Sequence, residues 1–497
     1  MAKRTPAAVA PNPAAITPRR AALELLVLQE QKARPLDQVL AQYPSSRWPA
    51  DRRDRQLVRA LVIEVLRRRG FLDHVLARYS RHPLAKMKPL TLAALRLGLV
   101  QLLFFDRLPP AAAIDETIRA LKAARQPRWL TGFVNGLLRN AARDRDTLLH
   151  EADNHADLLS IPPWLLQRRQ HRLDQETLRR RCRGDNLPPP LVLRVNRRRT
   201  SKAELLERLR GAGVHAEEGR LAPAALVLPD YHGRVEELPG YEQGLFAVQD
   251  EAAQLVTMLM ADQPAGATEA PLYLDACAGL GGKTAHLAEL LPPSARLLAL
   301  EPHPGRFELL KTNLSRLGID ASLGMLPASG APAAGDSAKS TGRQQKTGAV
   351  EIFPHTLEDF SRRFDWASGS GPFQGILMDA PCSGLGVIRR HPDIRWNRRA
   401  DELPRYQRRQ LELLQQAAGL LAPGGILVYV VCSNEPEENE EVMAELLRGN
   451  PSLQVDDPRP WLPSAAAGLV DADDFFRSGP EMGLDGFFAA RLVALNP

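Results

Sequence analysis

Two thiols and an acid stand where apolar runs of this sequence end. Asp379-Ala380-Pro381-Cys382 closes the run Ile376-Leu377-Met378, and Cys432 follows Val430-Val431. The first run is too short for a helix and is followed by a Pro/Gly turn, so it reads as a buried strand; residues 426–431 read as another. In an open parallel sheet, ligands bind beyond the carboxyl ends of the strands. At such an edge a thiol can serve as a nucleophile and a carboxylate can hold or move a proton. Arg389, Arg390, His391 and Arg395 follow closely behind Cys382. An acid, a thiol and a cationic flank together point to chemistry on a polyanion.

A third stretch runs Asp275-Ala276-Cys277-Ala278-Gly279-Leu280-Gly281-Gly282-Lys283-Thr284. It has the form of a strand, a Gly-rich turn and a helix start, which lets a ligand approach the backbone and meet free N–H groups. Glu301, at the end of the next apolar run, stands where an acid can meet ribose hydroxyls. The competing reading is a triphosphate-binding loop, but that motif needs Gly where Cys277 stands, so Gly282-Lys283-Thr284 completes only part of it. For any single cysteine at a strand end, the bland reading is a small buried hydrophobe. Two on one sheet weaken it. Ser433 or Asn434 is placed to cap an acidic helix expected at 435–448, whose N-terminus would favour a thiolate on Cys432. Glu435, Glu437, Glu438, Glu440 and Glu441 oppose that effect.

These residues need a frame to hold them, and the chain supplies one from Gln249 onward. Strands at 272–274, 297–300, 376–378 and 426–431 alternate with helices at 283–291, 304–317, 404–421 and 435–448, the pattern of a doubly wound sheet. Ahead of it, residues 187–248 read as a small α+β module. There Leu191 to Asn196, Leu226 to Leu228 and Leu245 to Val248 are strands, and Ser201 to Gly211 is a capped helix. Residues 151–186 form a basic helical connector crowded with Arg168, Arg169, Arg172, Arg179, Arg180, Arg181 and Arg183. Residues 18–150 are helical, with Leu90 to Phe105 as the central buried helix and a break at Pro127. One of these helices carries Arg52, Arg53, Arg59 and Arg67 on a wet face, either a solvated surface or an RNA-binding one. The Pro/Ala-rich residues 1–17 are expected to be disordered, and the low-complexity stretch 325–350 reads as a surface insertion.

Bulk properties narrow the class. The 497 residues are 44% hydrophobic, with a formal charge of +7 and a pI near 9.4, which favours a nucleic-acid or other acidic partner. The four cysteines, Cys182, Cys277, Cys382 and Cys432, show no CxxC spacing, so no metal is expected. The start of the sequence has no apolar leader and no stretch is apolar enough to span a bilayer. A cytoplasmic protein with no membrane contact is therefore expected. No protein partner is evident, and a monomer is expected.

Two blocks carry a family resemblance. AIDETIRALKA and WLTGFVNGLLRN resemble the NusB-type helical RNA-binding domain. DAPCSG with the VIRRHPDIRW tail, the GGK turn, the strand-end Cys432-Ser433, Gln249-Asp250-Glu251 and Asp485-Gly486-Phe487-Phe488 resemble the bacterial ribosomal RNA cytosine-5 methyltransferases of the Sun/Fmu type. With a NusB-like front, the resemblance narrows to enzymes acting on 16S ribosomal RNA and covers about residues 18–495. It implies a multidomain chain: an all-α NusB-like N-terminal domain, a small α+β linker module that binds RNA, and a C-terminal α/β Rossmann-like methyltransferase domain over 249–497. S-adenosyl-L-methionine would lie over Cys277, Ala278, Gly279, Leu280, Gly281, Gly282 and Lys283, with Glu301 on its ribose and Asp379 nearby. Cys432 would be the nucleophile, Cys382 the thiol that aids release, Asp379 the group at the base's N3, and Lys283 an ordering cation. The chain departs from the family at Leu280, where Pro is usual, at Val431, where Thr is usual, and around Ile352 to Thr356, where no GDG-like turn stands. Asp359 is the nearest Asp there, and the adenine-contacting role is not carried onto it. The departures motivate an alternative, a non-catalytic RNA-binding assembly factor of the same fold. A methyltransferase acting on amino groups would instead carry an [DN]PP[YF]-like strand end, which DAPC is not.

Overall fold

The computed structural model describes residues 16–32, 34–260, 271–324, 326, 350–364 and 373–495. Apart from residues 16, 17, 326 and 350, the expected tail and insertion lie outside that set. The chain divides into two compact units, one of residues 1–187 with 388–399 and one of residues 188–387 with 400–497.

The first unit is helical. Helix Pro89–Phe104 is buried along nearly its whole length, from Thr91 to Leu103, and forms the core of this unit. Gly98 lets it approach its neighbour, since a Cβ there would lie 2.3 Å from Leu138 Cδ1. Helix Arg52–Tyr79 is capped by Asp51, whose side chain accepts from Arg53 N and Asp54 N. Its arginines split. Arg52, Arg53 and Arg59 are exposed, but Arg67 is buried, contrary to the wet-face expectation. Burial, with Arg395 and Arg68 nearby, pulls the Arg67 guanidinium down to about 9. The connector also splits. Arg172, Arg179, Arg180 and Arg183 are exposed, while buried Arg169 pairs with Asp185 at 2.6 Å.

The segment Ile388–Arg399 corrects a second expectation. It packs with the helical unit, and its buried cations are engaged there rather than left free for a polyanion. Arg395 is fully buried and donates to Asn186 Oδ1 at 2.7 Å, Asp185 O at 2.9 Å and Ser160 O at 3.2 Å. Burial lowers its pKa to about 10. Trp396 Nε1 donates to Leu66 O at 2.6 Å, and Asp393 Oδ2 accepts from Leu36 N at 2.9 Å. Arg389 is buried as well, while Arg390 and His391 are half-buried.

The second unit holds two sheets. The smaller is antiparallel and contains β1 (Leu191–Val195), β2 (Glu217–Glu218), β3 (Ala225–Leu228) and β4 (Phe246–Val248) in the order β2-β3-β1-β4. Helix Lys202–Gly211 packs on it behind a Ser201/Glu204 capping box. Arg194 of β1, fully buried, pairs with Glu289 on the helix that follows the Gly-rich turn.

The larger sheet contains β5 (Leu272–Asp275), β6 (Arg296–Leu300), β7 (Ala321–Leu323), β8 (Val350–Phe353), β9 (Phe373–Asp379), β10 (Leu421–Val431), β11 (Leu453–Val455), β12 (Phe476–Arg477) and β13 (Phe488–Ala494). Its order is β11-β13-β10-β9-β5-β6-β8-β7, with β12 beside β13. From β10 to β7 neighbouring strands run parallel, and β13 runs antiparallel to β10. The apolar strands have helices packed on them, as a parallel sheet requires. The register sets Asp379 opposite Val430, so β9 and β10 release their chains side by side.

Candidate active site

The carboxyl edge of β5, β9 and β10 brings together the predicted groups. Cys382 leaves β9 through Ala380 and Pro381, and Cys432 is the first residue beyond β10. Their sulfurs lie 3.2 Å apart, with both side chains half-buried. The hydrogen bond to Cys432 comes first among the causes that push the Cys382 thiol well up; burial and the charges around it add to the effect. The shift favours the thiol form of Cys382, and either sulfur can be the donor in this contact. The loops themselves are tied together. Gly386 N donates to Cys432 O at 3.0 Å and Gly486 N to Gly386 O at 2.8 Å. A Cβ on Gly386 would stand 2.1 Å from Gly486 O, so this crossing requires glycine.

Lys283 Nζ donates to Asp379 Oδ2 at 2.6 Å and lies 5.2 Å from the centre of the Phe487 ring. Burial works against the ammonium charge, but the Asp379 carboxylate and its hydrogen bond outweigh it, so the Lys283 pKa is raised. Lys283 therefore remains a cation in the cleft. Beneath it, Asp275 is fully buried and accepts from Thr284 Oγ1 at 2.7 Å. Burial pushes its carboxyl up to about 6.

The Gly-rich turn forms an open cradle. Gly279 has φ 57° and Gly281 φ 84°, values that favour glycine. Gly281 caps helix Gly282–Leu290 without any side-chain cap bond, so no side chain of the turn occupies the first N–H groups. A Cβ on Gly279 or Gly282 would meet nothing within 4 Å, and Leu280 is 49% exposed. Cys277 lies lower in the turn, with its Sγ 3.9 Å from Met378 Sδ. Burial and the nearby Asp275, Asp379 and Glu301 push its thiol up, which suits a packing role. Glu301 ends just past β6 and accepts at Oε1 from His303 N at 2.7 Å and Arg306 Nη2 at 3.0 Å. Asp359, beyond β8, is held by His355 at 2.8 Å and Arg363 at 3.1 Å.

One sequence expectation fails at this site. No helix starts at 435. Pro436–Glu438 forms a short 3-10 turn and the helix is Glu440–Gly449, so Cys432 does not sit at a helix N-terminus. Ser433 Oγ does accept from Glu435 N at 3.2 Å. Sequence reasoning also missed a buried cluster behind the sulfurs, made of Ser383, Gln410, Ser433 and Glu438. A signal for it existed: both motifs read Cys-Ser, at 382–383 and 432–433. The other matched segments also meet, since Asp250 Oδ1 caps its own helix at Ala252 N and accepts from Asp485 N at 3.2 Å.

Comparison with known proteins follows the same lines. Residues 265–329 and 345–493 match the model for the 16S rRNA methyltransferase RsmB/F, residues 16–143 the NusB family, and residues 161–233 the ferredoxin-like domain of RsmF/B-like methyltransferases. The ribosomal RNA small subunit methyltransferase B of Pseudomonas syringae pv. tomato is 33% identical over 89% of this chain and 90% of its own length. A probable ribosomal RNA small subunit methyltransferase B of Bacillus subtilis is 31% identical over 88% and 90%. In fold, the crystal structure of PH0851 matches at TM-score 0.70 and 21% identity, covering 96% of this chain and 99% of that one.

Proposed function

The chain belongs to the RsmB/F family of 16S rRNA methyltransferases, and from that premise we propose that it methylates C5 of a specific cytosine in 16S rRNA through a covalent Cys432–C6 adduct. The observation that carries this reading is the pair of sulfurs 3.2 Å apart at one strand edge. C5 of cytosine is a weak nucleophile. Addition of the Cys432 sulfur at C6 converts the ring to an enamine-like species that is nucleophilic at C5. Asp379, held by Lys283, meets the base at N3 as charge develops there. Cys382, facing Cys432, assists the last step: its thiol proton passes to the departing Cys432 sulfur as the S–C6 bond breaks, and the Cys382 thiolate left behind takes the C5 proton. The target base must leave its stack to reach the thiol.

S-adenosyl-L-methionine fits the open cradle of 277–283. The uncapped helix start and the empty space over Gly279 and Gly282 support its placement there, with Glu301 toward the ribose. When bound, it supplies an electrophilic methyl group. Among the described residues, no cluster suited to a metal occurs and no helix is long and apolar enough to cross a membrane. The exposed arginines of residues 18–150 and 151–186, with the module 187–248, hold the RNA. Cys432→Ala abolishes transfer of a labelled methyl group to unmethylated 16S rRNA while RNA binding persists. Full turnover by that variant excludes the covalent scheme. Cys382→Ala accumulates a protein–RNA adduct that survives a denaturing gel; no adduct means no release role.

A further inference from the structure

We infer that Glu438 is a positioning residue that sets the spacing of the two sulfurs, a role that rests on the thiol chemistry proposed above. Its carboxylate is fully buried. Oε1 accepts from the Ser383 main-chain N–H at 2.8 Å and from Gln410 Nε2 at 3.0 Å. Oε2 accepts from the hydroxyls of Ser383 and Ser433, each at 2.5 Å. Ser383 directly follows Cys382 and Ser433 directly follows Cys432. A single carboxylate therefore holds the residue after each thiol, and the two hydroxyls lie 3.3 Å apart beside sulfurs 3.2 Å apart.

The clamp grips Cys382 from both sides. Gln410 Nε2, already on Glu438, also donates to Pro381 O at 3.0 Å, the residue before Cys382. The clamp is anchored in turn, because Tyr429 of β10 donates its hydroxyl to Glu438 O at 2.7 Å. The chemistry of the four donors selects a carboxylate. An ionised carboxyl accepts on both oxygens, whereas an amide turns an NH2 toward one pair. The Ser383 N–H and the Gln410 amide only donate here, so an amide must give them its oxygen and force both serine hydroxyls to turn round. The short acidic turn Pro436–Glu438 thus has a function apart from its charge: it delivers an acceptor behind the cysteine loops.

The shape-keeping variant Glu438→Gln tests this, with Cys432→Ala alongside as the control for the underlying reaction. The first readout is independent of turnover. The diazene oxidant diamide takes two hydrogens from a pair of adjacent thiols, forming a disulfide as the diazene becomes a hydrazine. Mass spectrometry of the peptides holding Cys382 and Cys432 follows the loss. We expect cross-linking in Glu438→Gln to slow severalfold, kcat to fall about tenfold to a hundredfold, as small misplacements of reacting groups do, and KM for rRNA to stay unchanged. Ser433→Ala should show the same split more weakly, and Ser433→Thr, which keeps the hydroxyl, should restore it. Wild-type cross-linking in a folded Glu438→Gln overturns the inference, whatever its activity. If Cys432→Ala turns over normally, the covalent reading fails, and the cross-linking rate still decides whether Glu438 sets the spacing.

Discussion

The stretch from Phe373 to Arg399 is continuous in sequence but serves two ends. Its first part, up to Val387, lies in the sheet unit, where Asp379 is salt-bridged with a side chain 31% exposed and Cys382 faces another sulfur. Its second part, Ile388–Arg399, lies in the helical unit, where Arg395 is 0% exposed and both of its Nη groups donate to carbonyl or amide oxygens. One half keeps polar groups within reach of a ligand. The other turns the Nη donors of Arg395 and the indole N–H of Trp396 onto its own chain. A basic tail beside a catalytic motif is therefore no evidence of a polyanion contact until its partners are known.

The comparison can be broken most sharply by activity. Cys432→Ala should lose methyl transfer to background with an unchanged melting temperature, whereas Arg395→Met should retain transfer per folded molecule. If Arg395→Met at full folding loses turnover as deeply, the two halves are not functionally distinct. Next in size is stability. Removing Arg395 leaves buried carbonyls and the Asn186 amide oxygen without a donor, so Arg395→Ala should cost about 3–5 kcal/mol in denaturant unfolding. A loss below about 1 kcal/mol would show that the buried half is not a structural peg.

A smaller effect is expected from pH. Burial holds the Asp275 carboxyl up to about 6, above its unfolded value, so the folded chain favours the protonated form. That contribution is present below pH ~4 and is lost as the pH rises through 6. Asp275→Asn keeps an acceptor for Thr284 and should flatten the fall in stability over that window, as thermal melts at stepped pH will show. Smallest is the response of single exposed arginines. Arg179→Ala and Arg183→Ala should each reduce the salt slope of RNA affinity by about 0.7 if the residue contacts phosphate, with no change in melting temperature. Arg169→Ala, which strands Asp185, should do the reverse.

Much of the sheet unit is legible in the sequence because its signals are local. The runs at 376–378 and 426–431 lie within β9 and β10, and the Gly-rich turn needs only its own glycines to open. Lys283 and Asp379 can be placed in one site from sequence because both follow strand ends of one sheet. The errors share a cause. Arg395 meets Asn186 across 209 positions, and nothing near Arg395 in sequence shows that its donors are already used. Arg67 fails in the same way, as it reaches Arg389 O across 322 positions. The helix expected at 435 starts instead at Glu440, because Glu438 is drawn back to the serines by tertiary bonds that helical periodicity does not register. Charge is easily read from sequence; its partners are not.

The assignment of Ile388–Arg399 to the helical unit also limits how this protein can be rearranged. A polypeptide shortened to begin at Pro188 would leave Arg395 and Trp396 as orphans, an invitation to misfold or to bind promiscuously. Fusion or exchange of the front helices would require rewriting a passage in the middle of the methyltransferase sequence. Whoever cuts this chain between its two parts must therefore also replace the donors that Ile388–Arg399 keeps among the front helices.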